Sequence, residues 1–251
     1  WKERNNYDVV FVHMNPIYII LAGCLWRMMG KKVSLWYTHK QVNLKLRVAT
    51  YLSHMIFTAS RQSFGLRSKK VNIVGHGIDL DQFQGVFQES RDTFNLVHIG
   101  RITRIKNCST LIMAANLLKV SIRNLKVIFV GSPVTLDDIK YKKELDELVV
   151  LHGLQSVVNF VDSVPHVYIK KYYEKADITV NMTPTGGVDK VVLESMASSV
   201  ISISSNESFT PYFGMFDPDL RFTYGDYKDL SSKIDALTQK SQTEIKTISM
   251  Y

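Results

Sequence analysis

Residues 98–107 read HIGRITRIKN, and the order of residue types carries a chemical meaning. Gly100 permits a sharp backbone turn. Arg101, Arg104 and Lys106 follow within one short loop; a guanidinium offers a bidentate fork and an ammonium a compact point charge. The apolar run Phe94–Val97 before them reads as a buried strand, and Cys108–Ala115 after them as a helix. A helix start presents free N–H groups and a partial positive charge. Strand, glycine, cations and helix start together describe a place to hold phosphate. The segment alone also leaves open a plain basic surface loop.

A second stretch, 183–194, reads TPTGGVDKVVLE. Gly186 and Gly187 free the backbone for close approach to a ligand, and a helix begins just after them. Glu194 falls one turn into that helix, among Val191, Val192, Leu193, Met196 and Ala197. A carboxylate in so apolar a segment needs partners. A ribose diol would bring two hydroxyl donors to its two oxygens. A surface pair with Lys190, four residues earlier and worth about 0.2–0.5 kcal/mol, is the structural alternative.

The elements that must position these residues alternate along the whole chain. Strands are expected at Asp8–Met14, Lys32–Tyr37, Met55–Thr58, Val71–Val74, Phe94–Ile99, Leu125–Val130, Val157–Val161, Ile178–Asn181 and Val200–Ile203, with a weaker one at Leu220–Thr223. Helices are expected at Ile17–Met29, Val42–His54, Ser109–Lys119, Asp138–His152, Val167–Lys175, Lys190–Ala197 and Tyr227–Leu237, while Asp79–Phe83 reads as loop. Short apolar strands alternating with helices imply parallel sheets covered on both faces. The expected organisation is α/β, two doubly wound, Rossmann-like domains over residues 1–93 and 94–251, joined near Gln84–Thr93. In such sheets ligands bind beyond the carboxyl ends of the strands. His13, Thr38-His39, Gly75–Gly77, Gly100–Lys106, Gly131-Ser132 and Thr183–Glu194 all follow expected strands, so a common site is plausible.

Bulk properties narrow the function classes. The chain has 251 residues, 45% of them hydrophobic, enough for a sizeable core in one or two domains. Cys24 and Cys108 are the only cysteines. They give no disulfide framework and no zinc cluster, which fits a reducing, cytoplasmic setting, and both read as small buried hydrophobes. The apolar stretch Ile17–Trp26 is shorter than the roughly 20 residues of a spanning helix. Residues 1–93 carry 13 Lys and Arg against 6 Asp and Glu, whereas residues 94–251 carry 18 against 17. Between Asp8 and Asp79 there are ten basic residues and no acidic one. Such a segment suits an anionic surface, the inner face of a membrane among them; a solvated basic face is the alternative. A nucleic-acid partner is not expected, because no reading helix or aromatic stacking platform accompanies the charge.

Taken together, the segments resemble the retaining glycosyltransferases of family four (glycosyl transferases group 1), which have the GT-B fold. Asp8–His13 is similar to the family's D-x-V-h-x-H strand, Val33–His39 to its strand ending in Thr-His, and His76–Phe83 to its N-G-I/V-D-x-x-x-F segment, with His76 in place of Asn. Gly100-Arg101 through Lys106-Asn107 resembles the G-R-x-x-x-x-K-G/N segment, and Gly186 to Glu194 lies on the E-x7-E motif. The resemblance implies transfer of a sugar from a UDP-, GDP- or ADP-sugar to a glycan or lipid-linked acceptor, in polysaccharide synthesis. It implies that Arg101 and Lys106 hold the diphosphate, with no metal required, and that Glu194 grips the ribose. Phe160 and Val161 would line the base, Gly100 and Gly187 the donor, and His39 would lie near the sugar and acceptor.

The chain departs from the motif where Gly186 replaces the first Glu, and the G-D-K pattern offers Asp189 or Lys190 to the sugar instead. Family members begin with a strand and a glycine-rich loop ahead of the segment matching Asp8, and no closing helix is evident after Leu237. The first residue is Trp, and the expectation is a piece of a larger enzyme with an incomplete first domain. A non-catalytic nucleotide-sugar binder and a GT-B-type sugar-nucleotide epimerase are the competing classes.

Overall fold

The computed structural model describes residues 2–85 and 92–251. Most of the join expected at Gln84–Thr93 lies outside them. The chain divides into two compact units, Trp1–Gly77 with Gly186–Val188, and Ile78–Thr185 with Asp189–Tyr251.

The first unit contains β1 (Val9–His13), α1 (Ile17–Met28), β2 (Lys32–Trp36), α2 (Leu44–Leu52), β3 (Met55–Thr58) and β4 (Val71–Ile73). The four strands are all parallel, in the order β1-β2-β3-β4. Asn43 starts α2 by accepting from the Leu46 amide at 2.9 Å, an Asx cap of a free helix N–H. Val12, Ile19, Val33, Leu35, Leu46, Ala49, Leu52 and Ile56 form the core under the two helices. Val9, Phe11 and His13 alternate to an exposed face. Cys24 is also exposed, contrary to its reading as a buried hydrophobe, whereas Cys108 is buried and its thiol is pushed up to about 12 by that burial. Among the described residues no helix is long and apolar enough to cross a membrane.

The second unit begins with α3 (Leu80–Phe83), where loop was expected. The Asp79 side chain accepts from the Gln82 amide at 3.2 Å and starts this turn. Phe83 is fully buried with Val97, Ile99, Val130, Ile169 and Tyr173. That burial ties the segment to the second core and sets the division at Gly77–Ile78, ahead of the expected boundary at residue 93. There follow β5 (Phe94–Ile99), α4 (Cys108–Ser121), β6 (Leu125–Val130), α5 (Leu136–Leu151), β7 (Val158–Val161), α6 (Lys170–Tyr173), β8 (Ile178–Asn181), α7 (Lys190–Ala197) and β9 (Ile201–Ser204). Four helices complete it: α8 (Thr210–Phe213), α9 (Asp217–Leu220), α10 (Tyr227–Thr238) and α11 (Gln242–Met250).

The second sheet is parallel throughout, in the order β7-β6-β5-β8-β9. α4 packs on β6 and against α5, while α7 packs on β8 and β9. Five of the six residues of β5 are buried, as expected of a central strand covered on both faces. The expected strand at Leu220–Thr223 is absent; Pro218 starts a helical turn instead, and only Arg221 bridges to Ser204. A helix does follow Leu237. Ser241 accepts from the Glu244 amide at 3.3 Å and the Glu244 carboxylate accepts from the Ser241 amide at 2.9 Å, a reciprocal cap that opens α11.

Candidate functional site: a cationic loop at the sheet's switch point

From β5 the chain crosses to β6 on one side and, later, β8 takes the other side. In open α/β sheets, ligands bind beyond the carboxyl ends of the strands at such a reversal. Gly100 follows β5 and Gly131 follows β6, both with positive φ, 151° and 147°. Their backbones press together so closely that a Cβ on Gly131 would stand 2.0 Å from the Gly100 carbonyl oxygen. Glycine at 131 is thus a steric requirement, and it sets the course of the loop that carries Arg101.

The loop then forms a single 3-10 turn, Arg104–Lys106, and reaches α4 through Asn107 in the left-handed conformation. Its three cations part company. Arg104 turns to α5, where it forms a two-pronged pair with Glu144 at 2.9 and 2.5 Å and lies over the Tyr141 ring. In the free protein its fork is matched by that carboxylate. Arg101 is exposed, with the charge of Asp138 in its neighbourhood. Lys106 points to the start of α7: its Nζ donates to Asp189 Oδ2 at 2.8 Å.

The same Asp189 oxygen accepts from Asn181 Nδ2 at 2.8 Å and lies 3.1 Å from Thr183 Oγ1. Burial alone would raise the Asp189 carboxyl, but the Lys106 charge and these hydrogen bonds outweigh it and hold the group below the usual carboxylate range. Asn181 is fixed in turn by Ser204 Oγ, which donates to its Oδ1 at 3.0 Å. Lys106 is thus aimed by a network that runs back to the ends of β8 and β9.

Glu194 lies deeper in α7, with 6% of its side chain exposed. The alternative, a surface pair with Lys190, does not form: Glu194 is buried and paired elsewhere. Tyr173, fully buried, donates to Oε2 at 2.9 Å, and His166 Nε2 lies 3.1 Å from Oε1. Burial, then the Glu194 charge, raise the Tyr173 phenol far above its ordinary value, so it stays a donor. His166 follows β7 and meets the Phe83 ring edge-on at 5.4 Å.

Beneath the cationic loop sits His98, enclosed in the sheet. Its Nδ1 bonds the Val180 carbonyl at 2.9 Å, while Nε2 has no partner among the described residues. Burial first, and the nearby Lys106 charge, lower its pKa to about 4, so the ring is neutral and Nδ1 carries the proton toward the carbonyl.

The remaining expected residues are more scattered. Phe160 stacks on Phe129 at 4.9 Å under the Lys142 ammonium, and the Val161 carbonyl accepts from the Gly131 amide at 2.9 Å; both are engaged in holding strand ends together. Lys190 is exposed at the first position of α7, and Gly186 and Gly187 lie in the loop ahead of it. His39 is exposed after β2, edge-on to Tyr37 at 5.7 Å. The sequence reading named neither His166 nor Tyr173 as a site residue. His166 follows a strand's carboxyl end, as the named candidates do, and position alone was its signal; Tyr173 gave none, since its partner is 21 residues away.

The family model described as glycosyl transferases group 1 matches residues 81–247, well over half of the chain. The chain belongs to this family. No curated protein matches it. Among solved structures, HepE from Anabaena in complex with UDP aligns at a TM-score of 0.85 and 16% identity, over 99% of this chain and 73% of that one. Sucrose-phosphate synthase from Thermosynechococcus elongatus aligns at 0.79 and 17%, over 97% and 67%. The C-terminal domain of the group 1 glycosyl transferase LpcC from Francisella tularensis aligns at 0.59 and 21%, over 69% and 92%. At such identities these likenesses speak for the fold, which is GT-B-like with Rossmann-like units.

Proposed function

We propose that this group 1 glycosyltransferase moves a sugar from a nucleoside diphosphate sugar to an acceptor hydroxyl, with retention at the anomeric carbon. The observation that carries the reading is the Lys106–Asp189 pair at the switch point, beside a glycine-built loop bearing Arg101. HepE was solved with UDP, with UDP and glucose, and with UDP-glucose, which supports a donor of this class. In the reaction the bond from the sugar's C1 to the β-phosphate oxygen breaks and its electron pair goes to that oxygen, while the acceptor hydroxyl oxygen bonds C1 on the same face and gives its proton to the departing phosphate oxygen. Arg101 and Lys106 stabilise the charge that develops there and take the place of a metal. Glu194 accepts from the ribose hydroxyls. Asp189, with Gly186, Gly187 and Lys190, serves the donor sugar, while Phe160 and Val161 border the base. His39 acts on the acceptor side. The acceptor is a glycan or a lipid-linked glycan, and the basic stretch between Asp8 and Asp79 favours work at an anionic membrane surface.

Titration calorimetry with UDP, GDP and ADP tests the assignment. At least one nucleotide is expected to bind, and Arg101→Ala, Lys106→Ala and Glu194→Ala are each expected to weaken it about tenfold or more, as loss of a hydrogen bond to a charged group does. Unchanged affinity in all three variants would remove the site.

A further inference from the structure

Glu194 is held asymmetrically. Its Oε2 faces Tyr173, which is fully buried and cannot leave. Its Oε1 faces His166, whose side chain is 61% exposed. Apart from that bond, the imidazole has one described contact, the edge-on approach to Phe83 at 5.4 Å. The backbone of His166, by contrast, is anchored: its carbonyl accepts from Gln82 Nε2 and from the Ile169 amide, both at 3.1 Å. The ring can therefore turn away while its loop stays in place. A single hydrogen bond from a largely exposed ring is one that a ligand can displace.

We propose that the His166 imidazole occupies, in the free protein, the hydrogen-bonding place of a ribose hydroxyl on Glu194 and vacates it when a nucleotide binds. The inference rests on the reading of Glu194 as the ribose-binding carboxylate. Two hydroxyls need lone pairs on both oxygens of the carboxylate, and the exposed ring stands on one of those oxygens. His166 thereby keeps a buried carboxylate hydrogen-bonded while the site is empty, at the expense of nucleotide affinity. It also prefers ligands that bring hydroxyls, because only they replace the bond it gives up. His166 is a positioning residue here, acting through Glu194.

The test uses the full chain and the tightest binder among UDP, GDP and ADP. His166→Ala is expected to bind that nucleotide about threefold to tenfold more tightly, the factor that corresponds to one displaced hydrogen bond. The 2′,3′-dideoxy counterpart is expected to show no such gain, since it has no hydroxyl to fill the vacated place. His166→Gln, whose amide can donate to Glu194, is expected to return toward the parent affinity. Equal or weaker binding by His166→Ala overturns the proposal, as does an equal gain for the dideoxy nucleotide. Normal binding that Glu194→Ala leaves untouched overturns the ribose reading itself. No binding by any of the three nucleotides removes the nucleotide site, and this inference with it.

Discussion

Lys106, Asp189 and His98 divide the electrostatic work at the head of the second sheet. A lysine ammonium near a buried imidazole is tolerable only while the imidazole is neutral, and a carboxylate on the far side balances the lysine. His98, neutral to about pH 4 in the folded protein, has a consequence for stability. An unfolded histidine takes up its proton near pH 6.5, so between those values the unfolded chain binds more protons than the folded one. Stability then falls as pH falls. The full contribution is present above about pH 6.5 and is lost by about pH 4, a difference on the order of 3 kcal/mol. Urea unfolding of the parent and of His98→Gln, each followed from pH 7 to pH 4, is expected to give a shallower slope for the variant; identical slopes would show that His98 does not titrate between the two states.

The chemistry of this network was only partly legible in advance. Lys106 and Asp189 stood out by type and spacing. His98 did not, because its role depends on the Val180 carbonyl of a strand far along the chain. Arg104 likewise has a partner that nothing in the HIGRITRIKN stretch announces, Glu144, forty residues on.

Elements with strong local signals were read closely. β5, β6, β8 and α7 have the expected bounds, each being a mostly apolar run or an apolar face between clear turn residues. The errors fall where short segments answer to tertiary contacts. α3 turns helical through one Asx cap and the burial of Phe83. The expected last strand gives way to the helical turn begun by Pro218. α11 has a signal in the Ser241–Glu244 spacing, but its segment is largely polar and carries no strong apolar face. The site depends most on the meeting of the β5 and β6 ends, and that meeting is testable. Gly131→Ala would force a Cβ to within 2.0 Å of the Gly100 carbonyl, at a φ of 147°. Destabilisation of about 3 kcal/mol or more is expected from strain and displacement combined, read as a lower urea midpoint at unchanged slope. Gly153→Ala is the control: it too has positive φ, but open space around it, so only the smaller conformational penalty should appear. Equal losses at both positions would mean that the close approach contributes nothing.

Over the whole molecule, charge is distributed as unevenly as chemistry. The acid-free stretch between Asp8 and Asp79, with its ten basic residues, folds into the first unit, whereas the second unit holds Lys106, Asp189 and Glu194. On α2, Lys45 and Arg47 are exposed beside Leu44, Val48 and Tyr51, which are exposed as well, while Leu46, Ala49 and Leu52 face the core. A helix that shows cations and apolar side chains together on its outer surface suits the boundary of an anionic bilayer. Each cation near such a surface contributes on the order of 1 kcal/mol, and salt at about 1 M shortens the reach of that attraction to about 3 Å. The chain is therefore expected to sediment with vesicles containing phosphatidylglycerol, not with pure phosphatidylcholine, and to be released by high salt. Reversing two charges in Lys45→Glu/Arg47→Glu is expected to weaken binding by at least tenfold without altering nucleotide affinity. Equal partition onto neutral vesicles, or anionic binding indifferent to both salt and charge reversal, would mean that the basic stretch is an ordinary solvated surface and that the acceptor reaches the site from solution.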